Sequence, residues 1–202
     1  MNVCACVVVI FVNKGLHEYG GDLSLGAYGI AIRMAFIFVM ITMGINQGMQ
    51  PIAGYNFGAQ RMDRLMQVLK YSMIAATAVT TTGFLVAELV PTLCARLFTS
   101  DATLIGMSAT AIRIIMVTFP IVGFQMVITN FFQSIGKAKI SMLLSLSRQM
   151  LFLLPLLITL PLWFGVDGIW WAMPISDTIA ALVTLVLMAT YMKRFRRKYN
   201  CA

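Results

Sequence analysis

"QGMQPIAGYNFGAQ", residues 47–60, closes a long apolar run and opens onto Arg61, Asp63 and Arg64. Ala35, Phe36, Ile37, Phe38, Val39, Met40 and Ile41 lie ahead of it. Gly44 and Gly48 are four apart, as are Gly54 and Gly58, so each pair shares one helical face and would admit a neighbouring backbone at close range. Pro51 falls between the pairs, breaks the helix ladder and frees a carbonyl one turn earlier. Gln47 and Gln50 are near enough to meet freed backbone groups or to line a polar path. Tyr55 sits at interface depth, and Arg61 and Arg64 mark the aqueous side. The stretch holds no nucleophile–base pair, no phosphate-binding loop and no metal ligands. It predicts a helix end that packs tightly, bends and enters a short loop.

The surrounding chain fixes the class. Of 202 residues, 60% are hydrophobic and only 11% charged, with a mean hydropathy of +0.87. A soluble domain is nearer half apolar and a quarter charged. The apolar residues come in runs of about 20, long enough to cross a ~30 Å hydrocarbon layer. The ~10-residue alternation of a membrane β-barrel is absent. The expectation is an all-α polytopic membrane protein with segments at roughly Val3–Val12, Leu25–Gln47, Lys70–Val90, Ile112–Phe132, Ile140–Phe164 and Gly168–Tyr191. The first is too short to span and reads as the tail of a truncated helix. Its resemblance to a signal peptide is superficial, because no Lys or Arg precedes it and no clean cleavage site follows. No hydrophilic stretch is long enough for a soluble domain.

Charge placement gives the topology. Arg61, Arg64, Lys70, Lys137, Lys139, Lys193, Arg194, Arg196, Arg197 and Lys198 fall on one side of the segments, whereas only Lys14 and Arg96 fall on the other. Such a bias makes the basic side cytoplasmic. The Gly48–Gln67 connection and the C-terminus are therefore expected inside. Residues 1–192 read as one transmembrane lobe and 193–202 as a basic cytoplasmic tail that anchors topology. The net charge of +8 is thus a membrane signal, and nucleic acid is not an expected partner; membrane lipid is. Trp163, Trp170 and Trp171 cluster at the outer connection, while Tyr191 and Tyr199 flank the inner end of the last segment, as interfacial belts do. Cys4, Cys6, Cys94 and Cys201, with a single histidine in the chain, match neither a zinc site nor a disulfide framework.

Prolines interrupt the later segments: Pro120 in the fourth, Pro155 and Pro161 in the fifth and Pro174 in the sixth. Each frees a carbonyl that lipid cannot satisfy, so these helices face protein or a watery cavity. Interrupted helices point to a transporter that moves. No cluster of His, Cys, Asp or Glu is present to run an enzymatic reaction.

"GINQGMQPIAGYNFGAQRMDRL" (44–65) resembles the signature of the multidrug and toxic compound extrusion (MATE) family, a G-x-x-Q-x-x-x-P-x-x-G-Y-N-[FY]-G-A pattern matched by Gln47, Pro51, Gly54, Tyr55, Asn56, Phe57, Gly58 and Ala59. "LGAYGIAIRM" (25–34), "NFFQSIGKAKISMLLSLSRQ" (130–149) and "FGVDGIWWAMPISD" (164–177) are similar to family segments in the same order. The resemblance implies the six-helix C-terminal lobe, its first helix truncated, of a twelve-helix secondary antiporter. Such antiporters export organic, often cationic, compounds in exchange for Na⁺ or H⁺ and use no cofactor. A lipid-linked oligosaccharide flippase of the same superfamily, and a non-transporting fragment or membrane interaction protein, are the alternatives. The family's coupling carboxylates fall in the other lobe or in segments that carry no acid here, so the missing N-terminal lobe is an expected partner. The bacterial inner membrane is the expected location.

Two charges stand deep in the segments, Arg33 and Asp177. Intramembrane charges are costly and pair or face a cavity. They are read here as a mutual pair or as the lining of a transport path. Arg113 and Arg148 snorkel, and Glu88 lies near water. The candidates for path or hinge are Arg33, Gln47, Gln50, Pro51, Asn56, Asn130, Gln133 and Asp177.

Overall fold

Two glycines divide the longest helical elements of this chain. The computed structural model describes residues 2–199, with side chains over residues 6–191. Its elements are α1 (Asn2–Gly58), α2 (Met62–Leu89), α3 (Pro91–Arg96), α4 (Ala102–Met116), α5 (Phe119–Ser134), α6 (Ala138–Leu146), a π-helical stretch at Ser147–Leu153 and α7 (Leu154–Tyr199). Gly21 breaks α1 with φ 65° and ψ −169°, and Gly165 breaks α7 with φ 58° and ψ −131°. Residues with a Cβ rarely adopt this backbone. Gly20 lies against Val166 and Gly15 against Ile169, so both breaks are at the same end of the bundle. Helices α4 and α5 form a single bent pass, turning by 48° where Pro120 occupies the first turn of α5. Six passes result: residues 2–20, 22–58, α2, α4–α5, α6 to 164, and 166–199.

The first pass is longer than its apolar run. It continues beyond Val12 to Gly20 through Lys14, His17 and Glu18. Helical hydrogen bonding persists into the interface although hydropathy falls there. His17 Nδ1 and Asp22 Oδ1 then lie 3.2 Å apart across the Gly21 break.

The Gly48–Gln67 connection is mostly helix. The second pass runs unbroken through Pro51 to Gly58, and the turn is confined to residues 59–61, with Gln60 at φ 54°. One missing donor does not end a helix whose other bonds are intact and shielded from water. Of the four glycines in the quoted stretch and just ahead of it, only Gly54 meets another backbone, the Ser134 carbonyl. Gly44, Gly48 and Gly58 face open space. The tight crossings lie elsewhere. Gly83 takes the Phe38 ring, and Gly123 takes Thr80 and the Ala76 carbonyl.

The buried apolar residues form two clusters. One includes Val12, Leu16, Ile30, Ile112, Met116 and Ile169, towards the glycine breaks. The other includes Met49, Leu65, Val127, Ile128, Phe131 and Phe132, towards the 59–61 turn. Trp170 belongs to the first cluster, so the tryptophan belt is Trp163 and Trp171, both exposed. Cys94 is buried as well, while Cys201 lies outside the described residues, as do the side chains of Cys4, Tyr199 and the basic tail. Arg113 and Glu88 are not independent: Nε and Oε2 are 3.7 Å apart at an exposed site.

Glycine substitutions should separate along these lines. In Gly123→Ala the new Cβ would stand 2.9 Å from the Ala76 carbonyl oxygen, an overpacking that costs about 1–3 kcal/mol. Gly44→Ala meets nothing and should gain roughly 0.5–1 kcal/mol from helix propensity. Thermal unfolding of residues 1–202 in detergent, followed by circular dichroism, checks both signs.

Candidate functional site

A polar layer separates the two apolar clusters. Thr42 and Asn46 from α1, Thr80 from α2, Gln125 from α5 and Ser176 from α7 are all buried, each falling between residues of the first cluster and residues of the second along its own helix. Thr42 donates to the Phe38 carbonyl at 2.9 Å and Thr80 to the Ala76 carbonyl at 3.0 Å, the local back-bonding that lets hydroxyls live inside a helix. Both amide atoms of Asn46 and Oε1 of Gln125 have no hydrogen-bond partner among the described residues.

The one deep ion pair of the described residues lies in this layer. Arg148 Nε donates to Asp177 Oδ1 at 2.7 Å. Ser176 Oγ, one residue earlier, donates to the Arg148 carbonyl at 3.1 Å. Neighbouring residues of α7 thus hold both the backbone and the side chain of residue 148. That backbone is π-helical. Pro155 lies two residues beyond the stretch and cannot donate to the Leu151 carbonyl inside it. Wider turns of this kind are frequent at functional sites. Pro174 on the facing helix also leaves a carbonyl short, and the Thr178 hydroxyl donates to the carbonyl of Pro174 itself at 2.8 Å.

The ion pair forms the polar wall of a cavity of about 270 Å³. Phe36 from α1, Ile115 from α4, Phe119 and Met126 from α5, and Met173 from α7 supply much of the apolar remainder. Aromatic and methionine walls adapt to varied apolar shapes. The Arg148 and Asp177 charges cancel, so the cavity offers a dipole without a net charge. Among the described residues no group of three or more His, Cys, Asp or Glu side chains could hold a metal ion.

Arg33 and Asp177 do not pair. Both stand a little over three turns inside a glycine break, roughly 18 Å along the helix at ~1.5 Å per residue. Arg33, however, is on the exposed face of α1, while Met34 and Ala35 beside it are buried. Asp177 faces the π-helical stretch instead. The sequence carried a signal for the true partner. Arg148 and Asp177 belong to consecutive segments, and consecutive segments are usually neighbours. Arg148 therefore does not snorkel.

The other candidates split into two groups. Gln50 Nε2 donates to Asn130 Oδ1 at 3.1 Å, and Asn130 Nδ2 donates to the Met126 carbonyl at 2.8 Å, which ties α1 to α5. Asn56 is buried and donates to the Ile52 carbonyl at 2.8 Å. Gln47 and Pro51 are exposed on α1, and Gln133 is exposed at the end of α5. Arg33, Gly44, Gln47, Gly48 and Pro51 thus share an open face of α1, with Ile37 and Met40 as its large apolar members.

The MatE family model matches residues 1–159. The chain belongs to this family. It is 25% identical over 203 residues to the multidrug export protein MepA of Staphylococcus saprophyticus, covering 97% of this chain and 42% of that protein. It is 26% identical over 196 residues to MepA of Staphylococcus haemolyticus, covering 96% and 42%. Among solved structures, the MATE multidrug transporter DinF-BH matches with a TM-score of 0.82 at 36% identity, over 99% of this chain and 44% of that one. A MATE crystal structure in the bent conformation matches with a TM-score of 0.90 at 18% identity, over 99% and 44%. The chain therefore spans less than half the length of the relatives it matches, and its six passes fit the C-terminal lobe.

The ion pair is expected to behave as a unit. Arg148→Gln or Asp177→Asn alone should destabilise the chain by about 2–3 kcal/mol, less than the roughly 3–5 kcal/mol of a fully buried pair. The discount reflects Arg148, which keeps about a third of its side chain exposed and so is partly screened by solvent. The double substitution should cost less than the sum, with a coupling of about 1–2 kcal/mol. A double-mutant cycle in detergent measures it; additive losses would show two independent charges.

Proposed function

We propose that this chain forms one lobe of a secondary-active exporter of small organic compounds, working opposite a second lobe and driven by a Na⁺ or H⁺ gradient. The observation that carries this reading is the end-to-end similarity to multidrug export proteins, paired with coverage of only 42% of their length. The geometry supports it. The cavity at Arg148–Asp177 is apolar, adaptable and electrically neutral, which suits hydrophobic compounds better than a pyrophosphate-linked sugar; the flippase alternative would favour unpaired cations. The open face with Arg33, Gln47 and Pro51 gives a partly polar path on one side of the lobe, towards which the second lobe would turn. Gln50, Asn130 and Asn56 pack inside the lobe towards the 59–61 turn, where they hold α1 rather than line that path, and Gln133 is exposed at the same end. Asp177 is engaged by Arg148, and the gradient-coupling carboxylates belong to the second lobe. Residues 1–192 act as the transmembrane lobe in the bacterial inner membrane and 193–202 as its cytoplasmic tail.

Two experiments test this. Residues 1–202 expressed alone in an efflux-deficient host should leave ethidium accumulation at the host's own level, with or without an ion gradient. Alternating access moves one repeat against another and needs both. Gradient-dependent efflux by this chain alone would overturn the half-site reading. For orientation, Leu97→Cys, at a strongly exposed position in a cysteine-free background, should react with a membrane-impermeant thiol reagent in intact cells. Ala59→Cys in the opposite turn should react only after permeabilisation, and the reverse pattern would invert the topology.

A further inference from the structure

A groove runs along the outside of α2, and its ends differ chemically. At the start of the helix a cavity of about 420 Å³ lies between α2 and α7, walled by Met66, Leu69, Met73 and Met188, with Gln67 and Lys70 on its rim. A second concavity of about 430 Å³ continues up α2 along Met73, Ile74, Thr77, Ala78 and Thr81. Met73 lines both, so the two adjoin on one face of α2. From Met66 to Thr81 the groove is roughly 22 Å long at ~1.5 Å per residue, more than the ~15 Å depth of one leaflet. Three methionines, Met66, Met73 and Met188, give a wall that adapts to a flexible chain.

The end near the 59–61 turn is cationic. The Lys70 side chain is exposed, and a helical Cβ tilts towards the helix start, which carries the ammonium towards the turn at 59–61. Arg61 and Arg64 are exposed there too, against one acid, Asp63, so this turn and the first part of α2 are net positive. Helix α7 runs on past Met188 as helical backbone to Tyr199, through the run "KRFRRK" at 193–198. Apolar length leading to clustered bases is the pattern that recognises a lipid with an anionic headgroup.

We propose that this groove is a binding site for an anionic phospholipid. One acyl chain lies along α2 from Met66 towards Thr81, and the phosphate rests at Lys70 beside the start of the helix. The site stands apart from the Arg148–Asp177 cavity, and it does not depend on whether the chain transports anything.

The test uses residues 1–202 purified in detergent and supplied with dioleoyl phosphatidylglycerol or dioleoyl phosphatidylcholine at equal micellar fraction. Lipid retention is read by native mass spectrometry. Phosphatidylglycerol should be retained at least threefold over phosphatidylcholine. Lys70→Gln should bring that ratio near one, and Lys70→Arg should keep it. Met73→Trp, which fills the groove where the two concavities adjoin, should lower retention of both lipids. Lys139→Gln removes an exposed charge at the same end of the bundle but away from the groove, and should leave the ratio unchanged. Circular dichroism confirms that each variant keeps its helicity. Equal retention of the two lipids by the parent chain would overturn the proposal and leave the groove to another helix. Loss of the preference in Lys139→Gln would reduce it to bulk charge. Unchanged retention in Met73→Trp would show that no chain occupies the groove.

Discussion

In a hydrocarbon layer no water replaces a lost hydrogen bond, so every interruption of a helix must be answered from within the protein. This chain interrupts its helices at Gly21, at Val117–Thr118, at 147–153 and at Gly165, and the answers organise the fold. The two glycine breaks lie together at one end and turn long helices into antiparallel pairs. The break before Pro120 bends a pass without ending it. The π-helical stretch ahead of Pro155 is held from the facing helix by Ser176 and Asp177. Threonines at 42, 80, 129, 159, 178, 184 and 190 each return a hydrogen bond to a carbonyl one turn back. They remain polar without exposing an unmade bond.

The polar layer follows from the same rule. Apolar packing is dense towards both ends of the bundle, while the middle carries hydroxyls, amides and one ion pair. A buried ion pair is weak evidence for stability, since well-packed apolar residues often do as well. Its placement beside a cavity, and on a widened helical turn, is therefore better explained by what the lobe does than by how it stands up. The amide of Asn46 and Oε1 of Gln125, without partners among the described residues, point the same way, because native interiors rarely leave such groups unsatisfied without a use.

Much of this was legible in the sequence, and the failures have physical causes. Apolar runs near membrane length mark five of the six passes and a short run marks part of the first, because hydropathy reports the cost of burying side chains. It does not report backbone bonding, so residues 13–20 and 48–58, polar or glycine-rich yet helical, look like helix tails or loop. The pairs Gly44–Gly48 and Gly54–Gly58 have the right spacing for close crossings, but spacing names a face and not its occupant, and only Gly54 is crowded. Asp177 stands out as a buried acid; its partner does not, since Arg33 and Arg148 are alike in type and only chain neighbourhood distinguishes them. The bond between Gln50 and Asn130 spans eighty positions, and no local pattern announces such a contact. Trp170 shows the limit of belt reasoning, for adjacent helical residues point about 100° apart and here Trp170 is buried while Trp171 is exposed.

The turn at 147–153 also gives the lobe a counting device. A π turn closes on the fifth residue and an α turn on the fourth, so α6 and α7 are joined with one residue held in excess. Releasing that residue would rotate whatever follows by roughly 100° about the helix axis. Arg148 sits inside the excess turn and is clasped by Asp177 and Ser176 from another pass. The clasp therefore marks one register of that turn, since it meets residue 148 at its side chain and its carbonyl at once.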